Sequence, residues 1–201
     1  MKEVVKLMDY RPDIKIVDAT LRDGGLVNNF RFTDEFVKDL YQTNIKAGVD
    51  VMEFGYKADK EMFDVKDFGK WKFCDDEDIR AVVGDNNTDL KIAVMADVGR
   101  CNYKQDIKPR AESPVDVIRV ATYINQIPAA VDVIEDAVAK GYEVTCNIMA
   151  ISNAQEADIR VALDLLGKSP VNVIYIVDSF GALFPEQIAR IAALYGEYAA
   201  K

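Results

Sequence analysis

The sequence predicts an α/β fold built on a parallel sheet, and three observations carry that expectation. Six short apolar runs rich in Val and Ile recur along the 201 residues. Amphipathic stretches of helical period separate them. Links from helix to strand are short, whereas links from strand to helix are long. Strands that are apolar on both faces and alternate with helices are covered on both sides, the arrangement produced by right-handed βαβ crossovers.

The expected strands are KIVDAT (15–20), DVMEFG (50–55), KIAVMA (91–96), DVIRVAT (116–122), EVTCNIM (143–149) and NVIYIVDSFG (172–181). Helices are expected over 33–48, 75–85, 128–141, 153–168 and 185–201. Thr33 is an N-cap candidate and Gly48 a stop; acids crowd the first turn of 75–85; Pro128 opens its helix and Gly141 closes it. Residues 1–13 read as an N-terminal extension and 14–201 as one domain. Half of the residues are hydrophobic, enough for one sizeable core.

The net charge is −9 with no lysine- or arginine-rich run, which argues against a nucleic-acid surface. The opening MKEVVKLMDYRPD lacks the apolar segment of a signal peptide, and no window approaches a membrane span. Cys74, Cys101 and Cys146 are odd in number and far apart, which points to a reducing, cytoplasmic setting. The chain contains no histidine. Acid–base chemistry therefore falls to carboxylates, Arg, Lys, Tyr, Ser and Cys.

Polar residues gather where strands end, and the two longest strand-to-helix links (56–73 and 97–113) leave from the same ends. Such ends carry the sites of α/β folds. Asp18, Arg22 and Asp23 follow strand 1, and Glu53 interrupts apolar strand 2. Arg119, Thr122 and Tyr123 lie on or after strand 4, with Asp178 and Ser179 at the end of strand 6. Buried charges need a partner or a ligand. An oxygen-rich cluster suits Mg²⁺ or Mn²⁺, leaving Arg22 to hold an anion or developing negative charge. Taken singly, Asp178 or Ser179 could cap a helix, and Arg22 with Glu53 could be a structural ion pair. Two architectures fit: part of an eight-unit barrel, or a doubly wound sheet with Asp23 and Asp178 around Mg²⁺. The DGG turn lacks the G-x-G-x-x-G spacing that usually accompanies the second.

DATLRDGG followed by MEFG, VIRVATY (117–123), EVTCNIM and VDSFGALFPEQI (177–188) resembles a family of metal-dependent lyase and aldolase barrels. It includes 3-hydroxy-3-methylglutaryl-CoA lyase, isopropylmalate and homocitrate synthases and 4-hydroxy-2-oxovalerate aldolase, and the similarity is greatest to the last. The resemblance implies a (β/α)8 TIM barrel, with only about six βα units present in this chain. It implies that Asp23 binds a divalent metal, Mn²⁺ or Mg²⁺. Arg22 would stabilise an enolate and Glu53 would orient Arg22. Ser179 would contact a 2-oxo acid such as pyruvate. Tyr123 stands where the family has a strand-4 histidine and is a second substrate-binding candidate. Family members often associate, so a homo-oligomer is also implied.

Three departures from the family pattern bear on mechanism. Its strand-7 H-x-H lies beyond strand 6, Leu26 occupies the place of a histidine base, and Tyr123 replaces the other histidine. A barrel that binds a 2-oxo acid without turnover is therefore an alternative. Six units leave strands 1 and 6 as edges, so these residues are expected to be the N-terminal part of a longer barrel. In the second strand-to-helix link, Tyr56 and Lys57 could reach substrate, and DFGKWKF (67–73) is either a lid or an aromatic cluster. Lys15 and Lys91 begin strands, the wrong end for a Schiff-base lysine.

Overall fold

The six apolar runs pair side by side in the order in which they occur. The computed structural model describes residues 13–198. The first half runs β1 (Val17–Asp18), α1 (Thr20–Asn28), α2 (Asp34–Ala47), β2 (Val51–Tyr56), α3 (Asp76–Val83), β3 (Lys91–Asp97) and α4 (Tyr103–Asp106). It continues with β4 (Val117–Thr122), α5 (Ile127–Ala139), β5 (Glu143–Ile148), α6 (Glu156–Lys168), β6 (Val173–Ile176) and α7 (Pro185–Gly196). All neighbours are parallel, in the order β1-β2-β3-β4-β5-β6. A doubly wound sheet reverses its strand order at a switch point, whereas a barrel adds strands consecutively. The doubly wound alternative is thereby corrected: the chain forms a partial TIM barrel of six strands. Of the expected N-terminal extension only Asp13 falls within the described residues, and residues 199–201 of the last expected helix lie outside them.

The two faces of the sheet follow from residue alternation. Met52, Phe54, Ile92, Val94, Ile118 and Val120 are buried on the helix side. The alternate positions face the concave side and include Glu53, Arg119, Thr145 and Asn147, which are buried too. A cavity of about 750 Å³ opens on that side, bounded by Val51, Lys91, Glu143 and Val173 and reaching Arg119 and Thr145. Among the described residues no helix is long and apolar enough to cross a membrane.

The helix ends behave as their sequences foretell. Thr33 accepts a hydrogen bond from the Phe36 N–H at 3.3 Å, and Gly48 closes α2 in the left-handed region at φ 72°. The segment after strand 1 differs from expectation. Strand 1 shrinks to Val17–Asp18, and LRDGG, expected as a flexible turn, is helical within α1. Asp18 starts that helix: its Oδ1 accepts from the Thr20 N–H at 3.3 Å and the Thr20 hydroxyl at 2.5 Å. Its Oδ2 accepts from Asn44 of α2 at 2.9 Å. Asp18 is thus a structural clamp.

Two glycines inside a helix are unfavourable by themselves, and packing explains the second. A Cβ on Gly25 would lie 2.1 Å from Phe30 Cδ1, so only glycine admits the ring. Asn29 and Phe30, at φ 55° and 61°, turn the chain back in left-handed conformations. The link after β2 then docks on this turn. The Gly69 N–H donates to Asn29 O at 2.7 Å, and a Cβ on Gly69 would come within 2.0 Å of Phe30 O.

Gly24 and Gly25 should therefore respond oppositely to the same change. A Cβ on Gly24 meets only the Phe32 ring at 3.4 Å, so Gly24→Ala should gain about 0.5–1 kcal/mol. Gly25→Ala should lose about 1–3 kcal/mol through overpacking. Urea midpoints measure both, and shifts of equal sign would show that the Phe30 ring does not seat on Gly25.

The cysteines are all free, with Cys74 and Cys146 buried and Cys101 half-buried. Burial pushes the Cys101 and Cys146 thiols up to about 12. Thiolate is the reacting form, so at pH 8 a disulfide reagent should titrate the fully buried Cys74 and Cys146 only at the rate of unfolding. Fast reaction in the native state would contradict the burial.

Candidate active site

Glu53 is fully buried among the apolar residues of β2, and two arginines meet on it. Arg22, in the first turn of α1, donates from Nε to Glu53 Oε2 at 2.9 Å. A terminal nitrogen of Arg119, from β4, donates to the same oxygen. Arg119 also reaches Asn147 Oδ1 of β5 at 3.4 Å, and its guanidinium carbon lies 4.9 Å from the ring centroid of Tyr175 on β6. Four strands and a helix are tied together at this point. Successive helical residues diverge by about 100°, so Arg22 turns inward while Asp23 beside it turns outward and is mostly exposed. The two still pair through Asp23 Oδ1.

The electrostatics favour charged groups here despite burial. Burial opposes the positive charge of Arg22, but the Glu53 carboxylate outweighs it and raises the Arg22 pKa above its ordinary value. One nitrogen of Arg22 is used on Glu53 and one on Asp23. The second terminal nitrogen is held by no carboxylate among the described residues. Glu53 Oε1 and Arg119 Nε are buried and have no protein partner among those residues. Tyr56 ends β2 beside Arg22; burial raises its hydroxyl pKa and Arg22 pulls it back down. Asp97 ends β3, its carboxyl raised by burial against the opposing charges of Arg100 and Lys72.

The other expected residues are placed as follows. Ser179 Oγ accepts from the Ala150 N–H at 2.9 Å, linking the loops after β5 and β6. Asp178 accepts from the Leu183 N–H at 2.8 Å, a bond that holds its carboxyl below the ordinary range. Tyr123 is exposed after β4, and no hydrogen bond or ring contact joins its side chain to the arginine cluster. Lys57 is buried and paired with Asp76 at 2.8 Å, a structural tie between β2 and α3. Within the 67–73 segment Phe68 packs on Phe30 and Phe63, and Trp71 packs on Phe54. Sequence reasoning noted Arg119 without giving it a role and passed over Asp97 and Lys72. An arginine inside a fully buried strand was the available signal for the first; the other two lack one.

The donor set does not by itself fit a metal centre. Among the described residues no three of His, Cys, Asp and Glu converge. Asp23, the candidate ligand, is engaged by a guanidinium.

Sequential parallel strands thus carry an arginine after strand 1 that a strand-2 glutamate holds. No family model matches the chain. Its curated relatives include the 4-hydroxy-2-oxovalerate aldolase of Pelotomaculum thermopropionicum, 27% identical over 180 residues, covering 89% of this chain and 52% of that protein. The protein of the same name from Bacillus cereus is 28% identical over 182 residues, covering 90% and 52%. The chain spans about half the length of the curated relatives it matches.

In fold it matches the N-terminal domain of a protein assigned as an aldolase from Bacteroides vulgatus, with a TM-score of 0.71 and 24% identity. That match covers 92% of this chain and 61% of the other. It also matches the HMG-CoA lyase of Brucella melitensis, with a TM-score of 0.63 and 15% identity over 93% of this chain and 69% of the other. The relationship expected from the motifs is thus found in sequence, and the barrel fold in structure.

Removing the charge of Glu53 should be costly, because it strands two guanidinium groups. Glu53→Gln should lose about 3–5 kcal/mol, as when one partner of a buried ion pair is deleted. Chemical denaturation checks it, and a loss below about 1 kcal/mol would mean that the cluster is well solvated.

Proposed function

We propose that the protein is an aldolase or carbon–carbon lyase acting next to the carbonyl of a small 2-oxo acid through an enolate. The observation that carries this is Arg22, fixed by Glu53 at the C-terminal end of β1 with one terminal nitrogen held by no carboxylate among the described residues. Cleaving or forming a bond at the carbon beside a carbonyl places negative charge on the carbonyl oxygen. A guanidinium already oriented toward that oxygen stabilises the charge without reorganising, and burial strengthens the effect. Glu53 and Arg119 are positioning residues: they fix the guanidinium plane and touch no reacting atom.

Ser179 and Tyr123 are proposed as substrate contacts at the same strand ends. The Ser179 hydroxyl accepts from Ala150, so its own proton is free to be donated to a carboxylate. Asp23 is proposed as one ligand of a divalent cation, with further donors from beyond the described residues.

The test is pyruvate release from 4-hydroxy-2-oxovalerate by the full-length natural protein, supplied with Mg²⁺ or Mn²⁺ and followed by a coupled reductase. Wild type should release pyruvate. Arg22→Lys keeps the charge but loses the planar fork, and should lower kcat about 10²–10³-fold with little change in KM. Asp23→Asn should lose its response to the cation. Binding of pyruvate without turnover, in wild type, would replace this reading with that of a binding barrel.

A further inference from the structure

Strand β2 carries one extra residue at its C-terminal end, and that irregularity decides where Tyr56 points. Glu53 is level with Ala93 of β3 and Tyr56 with Met95, so three steps along β2 match two along β3. Strict alternation from Glu53 would send the Tyr56 side chain to the helix side. The bulge instead puts Tyr56 in one row with Met95, Arg119 and Thr145, on the concave side. Re-aiming a side chain in this way is what bulges next to sites do. Gly55 permits it: a Cβ there would lie 1.9 Å from the Trp71 carbonyl oxygen.

The ring is then locked between two cations. Phe30, seated on Gly25, packs edge-on to Tyr56 at 5.6 Å. Lys72 Nζ lies 4.7 Å from the Tyr56 ring centroid, inside an aromatic box whose other walls are Phe63, Phe30 and Phe68 at 4.3, 5.1 and 5.5 Å. Among the described residues no carboxylate forms an ion pair with Lys72, and Asp97 acts on it only through space. The four rings favour its ammonium form. A cation against a ring face draws on the ring electrons, which makes a phenolic O–H a stronger donor. At the far end of the same ring the hydroxyl meets Arg22, its side-chain hydrogen-bond partner.

A guanidinium has donors only, so the Tyr56 hydroxyl accepts from Arg22 and its own proton is free to be donated. Tyr56 is half-buried where the four residues before it are buried, which leaves it at the opening of the strand ends. We propose that Tyr56 is a catalytic residue of this site, donating a hydrogen bond beside Arg22 to the oxygen on which enolate charge develops. The inference rests on the function proposed above and deepens it. The carbonyl oxygen of a bound 2-oxo acid is neutral and becomes negative in the enolate. A hydrogen bond to a charged acceptor is about twice as strong as one to a neutral acceptor. The donor therefore acts on the transition state more than on the bound substrate. Tyr56 keeps its proton throughout, so no bond within its side chain is made or broken.

The experiment compares wild type with Tyr56→Phe in the full-length protein supplied with Mg²⁺. Phenylalanine keeps the ring that packs on Phe30 and Lys72 and removes only the hydroxyl. Pyruvate release from 4-hydroxy-2-oxovalerate is measured, together with calorimetric binding of pyruvate and of oxalate, a planar mimic of the pyruvate enolate. In Tyr56→Phe kcat should fall about 10²-fold and oxalate affinity about tenfold or more. Pyruvate affinity should stay within about twofold. Wild-type kcat and oxalate affinity in Tyr56→Phe would overturn the proposal and leave the function above standing. Equal losses for pyruvate and oxalate would also overturn it, making Tyr56 a contact to the substrate carboxylate. A wild type that releases no pyruvate and binds oxalate no tighter than pyruvate would overturn the function itself, and this inference with it.

Discussion

One buried carboxylate oxygen, Glu53 Oε2, holds the site together. It accepts from Arg22 on α1 and from Arg119 on β4, and it is carried by β2 between them. Without it, Arg119 would lose its carboxylate partner in a buried position and Arg22 would keep only Asp23. Without the arginines, a carboxylate at zero exposure would be left with no opposite charge beside it. Each member makes the burial of the others tolerable. The apolar half of β2 allows this: Met52 and Phe54 anchor the strand against the helices, so Glu53 between them must point to the concave side.

Around that oxygen the chain builds outward in two directions. Asn147 and Tyr175 extend the polar contact to β5 and β6. On the other side, α1 brings Phe30 to the loop after β2, where Gly25 and Gly69 remove the side chains that would keep the surfaces apart. The aromatic box around Lys72 is the product of that docking. The loop is accordingly a fitted part of the wall above the strand ends, with Arg31 also donating to Lys66 O at 2.9 Å.

Much of this was legible in the sequence. The strands and their parallel order follow from apolar runs and the rhythm of capped helices, and Arg22 with Glu53 stood out as charge where burial was due. The helix over LRDGG was not legible, because two glycines argue locally for a turn. The seating of the Phe30 ring on Gly25, within the turn that closes the same helix, favours a helical backbone there. Asp18 looked like part of the site but its oxygens are consumed by Thr20 and Asn44. Lys72 was hidden among five lysines of one loop, and isolation from carboxylates is a property of three-dimensional neighbours alone. Tyr123 and Ser179 were placed at the expected strand ends, yet neither touches the arginine cluster.

The distances along the chain that Glu53 spans carry a further consequence. Its two partners lie 31 and 66 residues away. Loop-closure entropy grows only as the logarithm of length, so the second link costs about 0.6 kcal/mol more than the first. The greater demand is simultaneity: neither arginine has a satisfactory resting place until both distant segments have arrived. A site assembled from contacts this non-local forms with the last consolidation of the sheet and is lost with its first loosening. Arg22 is thus held in its orientation only while β1, β2 and β4 are in register, which makes the geometry of the cluster itself a read-out of a completed fold.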